Sequence, residues 1–187
     1  KSGRKQLLTM SAVKEYALSK GLSLFQPEDI KSDHAKIMEM DADLIVTCAY
    51  GQFVPEQVLT HPRFGAINLH ASLLPKLRGG APVHKAIING DAETGMSMMR
   101  MVRRMDAGAV MAQCHVPISD TDTAGTLFDK LAVAGGDLLI ERLPSLFDGS
   151  AVFVEQDESQ ATFAYTITPQ EERIDLSRPL SQVYDQA

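Results

Sequence analysis

Ala66-Ile67-Asn68-Leu69-His70-Ala71-Ser72-Leu73-Leu74-Pro75 runs directly into Lys76-Leu77-Arg78-Gly79-Gly80-Ala81-Pro82. Apolar residues lead into an Asn and a His two positions apart, and the stretch ends on a Pro turn. Residues i and i+2 of a β-strand project from the same face. A strand over residues 67–71 therefore sets Asn68 and His70 side by side near its carboxyl end. That edge is where open α/β sheets bind their ligands. An amide donor beside an imidazole suits chemistry at a carbonyl carbon, because one group steadies a developing oxyanion while the other moves a proton. A lone Asn-x-His reads more simply as strand-end polar residues that satisfy loop backbone. The residues that follow it carry the chemical reading.

Around this stretch the chain alternates helix and strand. Ser11 caps a helix over residues 12–19 that Gly21 stops, and residues 22–25 read as a short strand. Pro27 opens a helical stretch toward Met40. Residues 44–49 form a continuous apolar run, as expected of a strand buried on both faces. Pro55 starts a short helix through Leu59, broken by His61-Pro62. Pro82 starts another over residues 83–88, with Asn89-Gly90 as its stop. Residues 96–102 and 110–116 read as two strands flanking a loop that holds Asp106. Thr126 begins a long helix whose Leu127, Leu131, Ala134 and Leu138 share one face. Gly135-Gly136 inside it lowers helix propensity and predicts close packing against a neighbour. Residues 154–160 read as a loop before residues 163–167. The alternation predicts an α/β fold with a doubly wound, mostly parallel sheet.

Composition bounds the function. The 187 residues, 44% hydrophobic, suffice for one ordinary domain and core. No apolar run approaches the ~18–20 residues that span a bilayer, and no signal-peptide pattern is visible. Cys48 and Cys114 both lie in apolar runs and read as buried thiols; neither belongs to a Cys-x-x-Cys or His/Cys cluster, so no metal site is expected. The net charge of −6 conceals an asymmetry: residues 1–118 hold 14 Lys/Arg against 11 Asp/Glu, while residues 119–187 hold 4 against 13. Basic residues gather near the start and around the motif. Nucleic-acid binding needs local positive potential rather than a basic protein overall, although such clustering by itself is usually a solvated surface.

Asn68-x-His70-x-Ser72-Leu73-Leu74-Pro75, then Arg78-Gly79-x-Ala81-Pro82, Ala86-Ile87, Thr94-Gly95 and the distal Asp106-Ala107-Gly108 resemble the formyltransferases that use 10-formyltetrahydrofolate. The Arg-Gly-x-Ala-Pro continuation is most similar to the branch acting on methionyl-tRNA, with amino-sugar enzymes close to it. Gly3-Arg4-Lys5 with Ser11-Ala12-Val13-Lys14 resembles the end of that branch's basic loop and the helix after it. Gln26-Pro27-Glu28, residues 43–46 with Tyr50-Gly51-Gln52, and Arg173-Ile174-Asp175 with Ser177-Arg178-Pro179 extend the match over nearly the whole chain.

The resemblance implies a Rossmann-like formyltransferase fold, here lacking its first strands and the C-terminal barrel domain. Residues 1–150 would form the catalytic domain, and residues 151–187 its end and the start of a linker. It implies a catalytic set of Asn68, His70 and Asp106. Asn68 offers a neutral NH2 donor to the formyl oxygen, His70 moves a proton or supports the tetrahedral adduct, and Asp106 orients and charges His70 or positions a proton-carrying water. Ser72, Leu73, Leu74 and Pro75 match the folate-contacting segment, and Gly51, Gln52, Phe53 and Val54 match a segment used against the pterin. Arg4, Lys5 and Arg78 are the expected tRNA contacts. The implied protein is a cytoplasmic, bacterial-type monomer that uses 10-formyltetrahydrofolate and initiator methionyl-tRNA, without a metal. Formyl transfer to an amino sugar or other small amine, hydrolysis of 10-formyltetrahydrofolate, and a silent tRNA-binding remnant are the competing readings. His34, His61 and His115 read as structural, as does His84 on the helix after the motif. The five methionines from Met96 to Met105 read as adaptable core.

Overall fold

The computed structural model describes residues 9–186. Its elements follow in the order α1 (Ala12–Ser19), α2 (Ile30–Asp33), α3 (Ala35–Met38), β1 (Ile45–Cys48), α4 (Glu56–Leu59), β2 (Ala66–His70), α5 (Pro82–Ile88), β3 (Glu93–Arg100), β4 (Val110–Pro117), α6 (Ala124–Phe147) and α7 (Leu180–Gln186), with a 3-10 turn at Glu158–Gln160. Local signals account for most of them. Ser11 accepts from the Lys14 N–H and starts α1. Pro82 occupies the first turn of α5, where its missing N–H is not needed. Thr123 and Thr126 cap one another's backbone at the start of α6.

The strands form one four-stranded sheet in the order β1-β2-β3-β4. β1 and β2 are parallel, whereas β2–β3 and β3–β4 are antiparallel. The α/β class stands as expected, but the sheet is mixed rather than mostly parallel among the described residues. β3 runs back along β2, with Ser97 opposite His70 and Arg100 opposite Ile67. The β3–β4 connection therefore begins beside the amino end of β2, where the Met101 N–H donates to the Ala66 carbonyl.

Strand parity divides the core. Ile67 and Leu69 on one face of β2 pack with Met96, Met98, Val116 and the α6 residues Leu127, Leu131 and Leu138. Burying each such side chain contributes about 1.5–3 kcal/mol. Gly135 of α6 faces Met96, and a Cβ there would meet the Met96 Cε at 3.0 Å, whereas Gly136 has nothing within 4 Å. Close packing thus explains the first glycine and not the second. On the other face of the sheet, Ala66 joins Ile30, Val54, Val58 and Leu59 in a smaller cluster.

Several local expectations change. Residues 22–25 form no strand, and residues 163–167 make a single bridge, Phe163 to Arg78. The helical stretch after Pro27 is split into α2 and α3 around His34. β1 alternates between half-buried and exposed residues instead of being buried on both faces, since β2 is its one strand neighbour among the described residues. Cys48, at the end of that open strand, is consequently exposed, and Cys114 is half-buried.

Candidate active site

β2 delivers Asn68 and His70 to the same face of the sheet, opposite the face that packs on α6. Thr47 of β1 stands beside Asn68 in the parallel register and donates its hydroxyl to the Asn68 Oδ1 at 2.8 Å. The Asn68 amide NH2 has no hydrogen-bond partner among the described residues and is not sealed from solvent. One end of the amide is held and its donor end stays available.

His70 is 6% exposed and is held from two directions. Its Nε2 lies 2.9 Å from the Leu77 carbonyl. A carbonyl only accepts, so Nε2 carries the hydrogen and Nδ1 is the basic nitrogen of the neutral ring. Nδ1 faces the Asp106 Oδ2 at 3.7 Å. Asp106 reaches it because the β3–β4 connection is a nine-residue loop, 101–109, that folds back along β2. The Asp106 Oδ2 also accepts from the Gly79 N–H at 2.8 Å. Two of the residues that orient this pair adopt left-handed backbone, Leu77 with φ 56° and Asp106 with φ 47°. Asp tolerates that conformation better than Leu does. At Leu77 it costs about 1–2 kcal/mol and aims the carbonyl at the imidazole.

The motif loop and the Asp106 loop are tied together by residues 154–164. Arg78 is fully buried. Its guanidinium makes a two-pronged ion pair with Glu158, at 3.0 and 3.2 Å, and donates twice to the Gln156 Oε1, at 3.0 and 2.8 Å. The Gln156 amide donates in turn to the carbonyls of Asp106, at 2.8 Å, and Gly108, at 2.7 Å. The Arg78 guanidinium, with Arg104 alongside, holds the Glu158 carboxyl below the usual carboxylate range. Gly79 follows with φ +121°, and a Cβ there would sit 2.7 Å from the Ala164 carbonyl oxygen, so the close approach needs glycine. This corrects the expectation for Arg78. A buried guanidinium spent on Gln156 and Glu158 is an internal clamp and presents no free charge to a nucleic acid.

The remaining expected residues divide. Ser72 and Leu74 are buried: the Ser72 hydroxyl donates to the Lys76 carbonyl at 2.6 Å, and Ser97 bridges the turn by accepting from the Leu74 N–H and donating to the Ser72 carbonyl. Leu73 and Pro75 are half-buried. Because β1 and β2 are parallel, residues 51–54 leave β1 at the same sheet edge as His70. Gly51, with φ +77°, and Phe53 are exposed there; Gln52 caps α2 by accepting from the Ile30 N–H at 2.9 Å, and Val54 is buried in the smaller core cluster. Arg4 and Lys5 lie outside the described residues. His84 stacks edge-on against Phe128 of α6. A cavity of about 470 Å³ lies at the opposite end of β2, lined by Gly65, Arg100 and Phe153, and includes none of the three candidate catalytic residues. Among the described residues no group of three or more His, Cys, Asp or Glu is placed to hold a metal ion, and no helix is long and apolar enough to cross a membrane.

Sequence reasoning missed Thr47, Leu77, Ser97 and Gln156. Ser97 had a signal, as a polar residue enclosed by methionines in a buried strand. Gln156 had none, since it meets Asp106 across 50 positions of chain.

Comparison with known proteins adds three findings. The sequence pattern of the family described as "Formyl transferase" matches residues 1–143. Among named relatives, the methionyl-tRNA formyltransferase of Levilactobacillus brevis is 53% identical over 94% of this chain and 56% of its own length. That of Staphylococcus aureus strain MW2 is 47% identical over 98% of this chain and 60% of its own length. The chain thus spans somewhat more than half the length of these curated relatives. Among solved structures, an N-formyltransferase from Helicobacter canadensis, in complex with folinic acid and dTDP-3-aminofucose, superposes with a TM-score of 0.77 at 17% identity, covering 93% of this chain and 62% of that one. At that identity the likeness is one of fold.

Proposed function

The chain belongs to the formyl transferase family, and on that premise we propose that it transfers a formyl group from 10-formyltetrahydrofolate to the amino group of methionyl-tRNA, giving formylmethionyl-tRNA for translation initiation. The observation that carries the choice of acceptor is the 47–53% identity to proteins named for that activity, sustained over almost all of the chain. The N-formyltransferase in complex with dTDP-3-aminofucose shares the fold at 17% identity.

10-Formyltetrahydrofolate supplies a formyl carbon whose oxygen gains charge when an amine adds and whose leaving nitrogen must gain a proton. The residues at the end of β2 suit both demands. Asn68 has its Oδ1 held by Thr47 and an NH2 that is uncommitted among the described residues, and that donor meets the charged oxygen without bringing charge of its own. His70 has Nε2 occupied by the Leu77 carbonyl, so its Nδ1 takes the proton from the amine and returns it to the leaving nitrogen. Asp106 faces that Nδ1 and favours the imidazolium while the proton is held. Gly51 and Phe53, exposed at the same sheet edge, offer backbone and an aromatic face to the pterin. Leu73 and Pro75, half-buried, shape the adjoining wall with their side chains, since the Ser72 hydroxyl and Leu74 side chain are turned inward and Ser97 holds the backbone of the turn.

Residues 1–150 serve as the catalytic domain, and residues 151–187 complete it and lead toward a further tRNA-binding domain. Arg4 and Lys5 contact the tRNA acceptor stem, and the protein works in the bacterial cytoplasm as a monomer. The test is an acceptor panel with full-length protein and 10-formyltetrahydrofolate, scoring methionyl-tRNA, amino sugars, glycinamide ribonucleotide and water. Formylation of methionyl-tRNA far above the others is the expected result. Preference for an amino sugar, or release of formate without an acceptor, would overturn it.

A further inference from the structure

The Asn68 amide can lie in its site in two ways that differ by a half-turn about its last torsion, and they have nearly the same shape. One presents NH2 to the cleft and the other presents oxygen. An oxygen turned toward a developing oxyanion would repel it, so the choice decides whether Asn68 helps or harms. We propose that the hydroxyl of Thr47 makes that choice and is a positioning residue for the transfer; this rests on the reading that Asn68 stabilises the formyl oxygen.

Thr47 and Asn68 are partners in the β1–β2 register, so the hydroxyl is fixed by two paired strands rather than by a loop. It has one proton and three acceptors in range: the Asn68 Oδ1 at 2.8 Å, the Met101 thioether sulfur at 3.1 Å and the Ile67 carbonyl at 3.3 Å. A thioether is a weak acceptor, and 3.3 Å is long for a hydroxyl bond. The proton goes to the amide oxygen. That bond draws the oxygen toward β1 and leaves NH2 facing away from it, with no other partner among the described residues competing for either end. β-Branching adds to the effect, because it restricts the Thr47 side chain to few rotamers.

Thr47→Val keeps the branched shape and removes the donor, whereas Thr47→Ser keeps the donor. In the full-length protein Thr47→Val is expected to lower kcat by roughly two- to tenfold, the range set by one net hydrogen bond. KM for formylfolate and the melting temperature should stay close to wild type. Thr47→Ser should restore most of kcat, and the 15N-labelled side-chain amide signals of Asn68 should shift in Thr47→Val and return in Thr47→Ser. Adding Thr47→Val to Asn68→Ala should cause no further loss, since the residue it positions is gone. Wild-type kcat in Thr47→Val beside an impaired Asn68→Ala would overturn the role of Thr47 alone. A further loss on top of Asn68→Ala would overturn it too, by showing that Thr47 acts elsewhere. Near-normal turnover in Asn68→Ala itself would instead remove the reading of Asn68 and Thr47 with it.

Discussion

The two faces of β2 are built from alternate residues of five, yet they obey different rules. Ile67 and Leu69 enter a packed cluster with α6 that involves no polar group of the strand. Asn68 and His70, pointing the other way, are held by hydrogen bonds to Thr47 and Leu77. The apolar face tolerates any occupant of similar volume that fills the same space. The polar face depends on the direction of individual donors and acceptors. On the proposed reading one strand carries stability on one side and chemistry on the other, and each should be open to disturbance with little effect on its opposite.

The largest effect expected on the polar face is that of His70→Ala. Loss of proton transfer should reduce turnover by roughly 10²–10⁴, with formylfolate affinity by equilibrium titration nearly unchanged. Comparable loss of folate binding would mean that the ring shapes the pocket instead of moving a proton. On the other face, Leu69→Ala should destabilise by about 2–5 kcal/mol in denaturant unfolding. Turnover per folded molecule should stay within a fewfold of wild type. A hundredfold fall in kcat from Leu69→Ala would break the division between the faces.

The same contrast explains what was legible in the chain. Period-two alternation and two apolar neighbours predict both the strand and the shared side of Asn68 and His70, because parity is a local property. The α6 stripe of Leu127, Leu131 and Leu138 is legible for the same reason. Asp106 is recognisable by resemblance, but its path to His70 depends on the antiparallel return of β3, in a sheet that the alternation of helix and strand read as mostly parallel. Arg78 is the sharpest case. A basic residue in a basic stretch reads as a surface charge, and only the fold brings Gln156 and Glu158, roughly 80 positions away, to bury and neutralise it. The left-handed backbone at Leu77 is invisible for another reason: leucine carries no signal for it.

Within the polar face, His70 is held by the strand and Asp106 by a clamp from outside the sheet. Gln156→Leu keeps the bulk but removes both donations to the carbonyls of Asp106 and Gly108 and the acceptor for Arg78. Turnover should fall roughly tenfold, below the hundredfold that an ångström of misplacement can cause. Some stability is lost as well, because the buried guanidinium loses a partner. The informative measurement is kcat per folded molecule beside the melting temperature, with KM for formylfolate followed in the same assay. Lower stability with unchanged kcat would make the clamp purely structural.

The smallest effect belongs to the outer leg of that clamp. Glu158 is about half-exposed, and the Arg78 guanidinium holds its carboxyl below the ordinary value. A carboxylate with a depressed folded pKa contributes stability that is fully present above its unfolded value, about 4.3. That contribution is lost as pH falls through the folded value, which lies lower. Other carboxylates titrate in the same range, so the quantity to follow is the difference in melting temperature between wild type and Glu158→Gln. The difference should be constant from about pH 7 down to about pH 5 and shrink steadily below it, as the wild-type carboxyl takes up its proton and becomes as neutral as the amide. Solvent screening keeps the gap modest, and salt should narrow it at neutral pH. A gap that persists to the acid end would show that the ion pair adds nothing beyond the shape of the side chain, leaving Gln156 as the sole effective partner of the buried guanidinium.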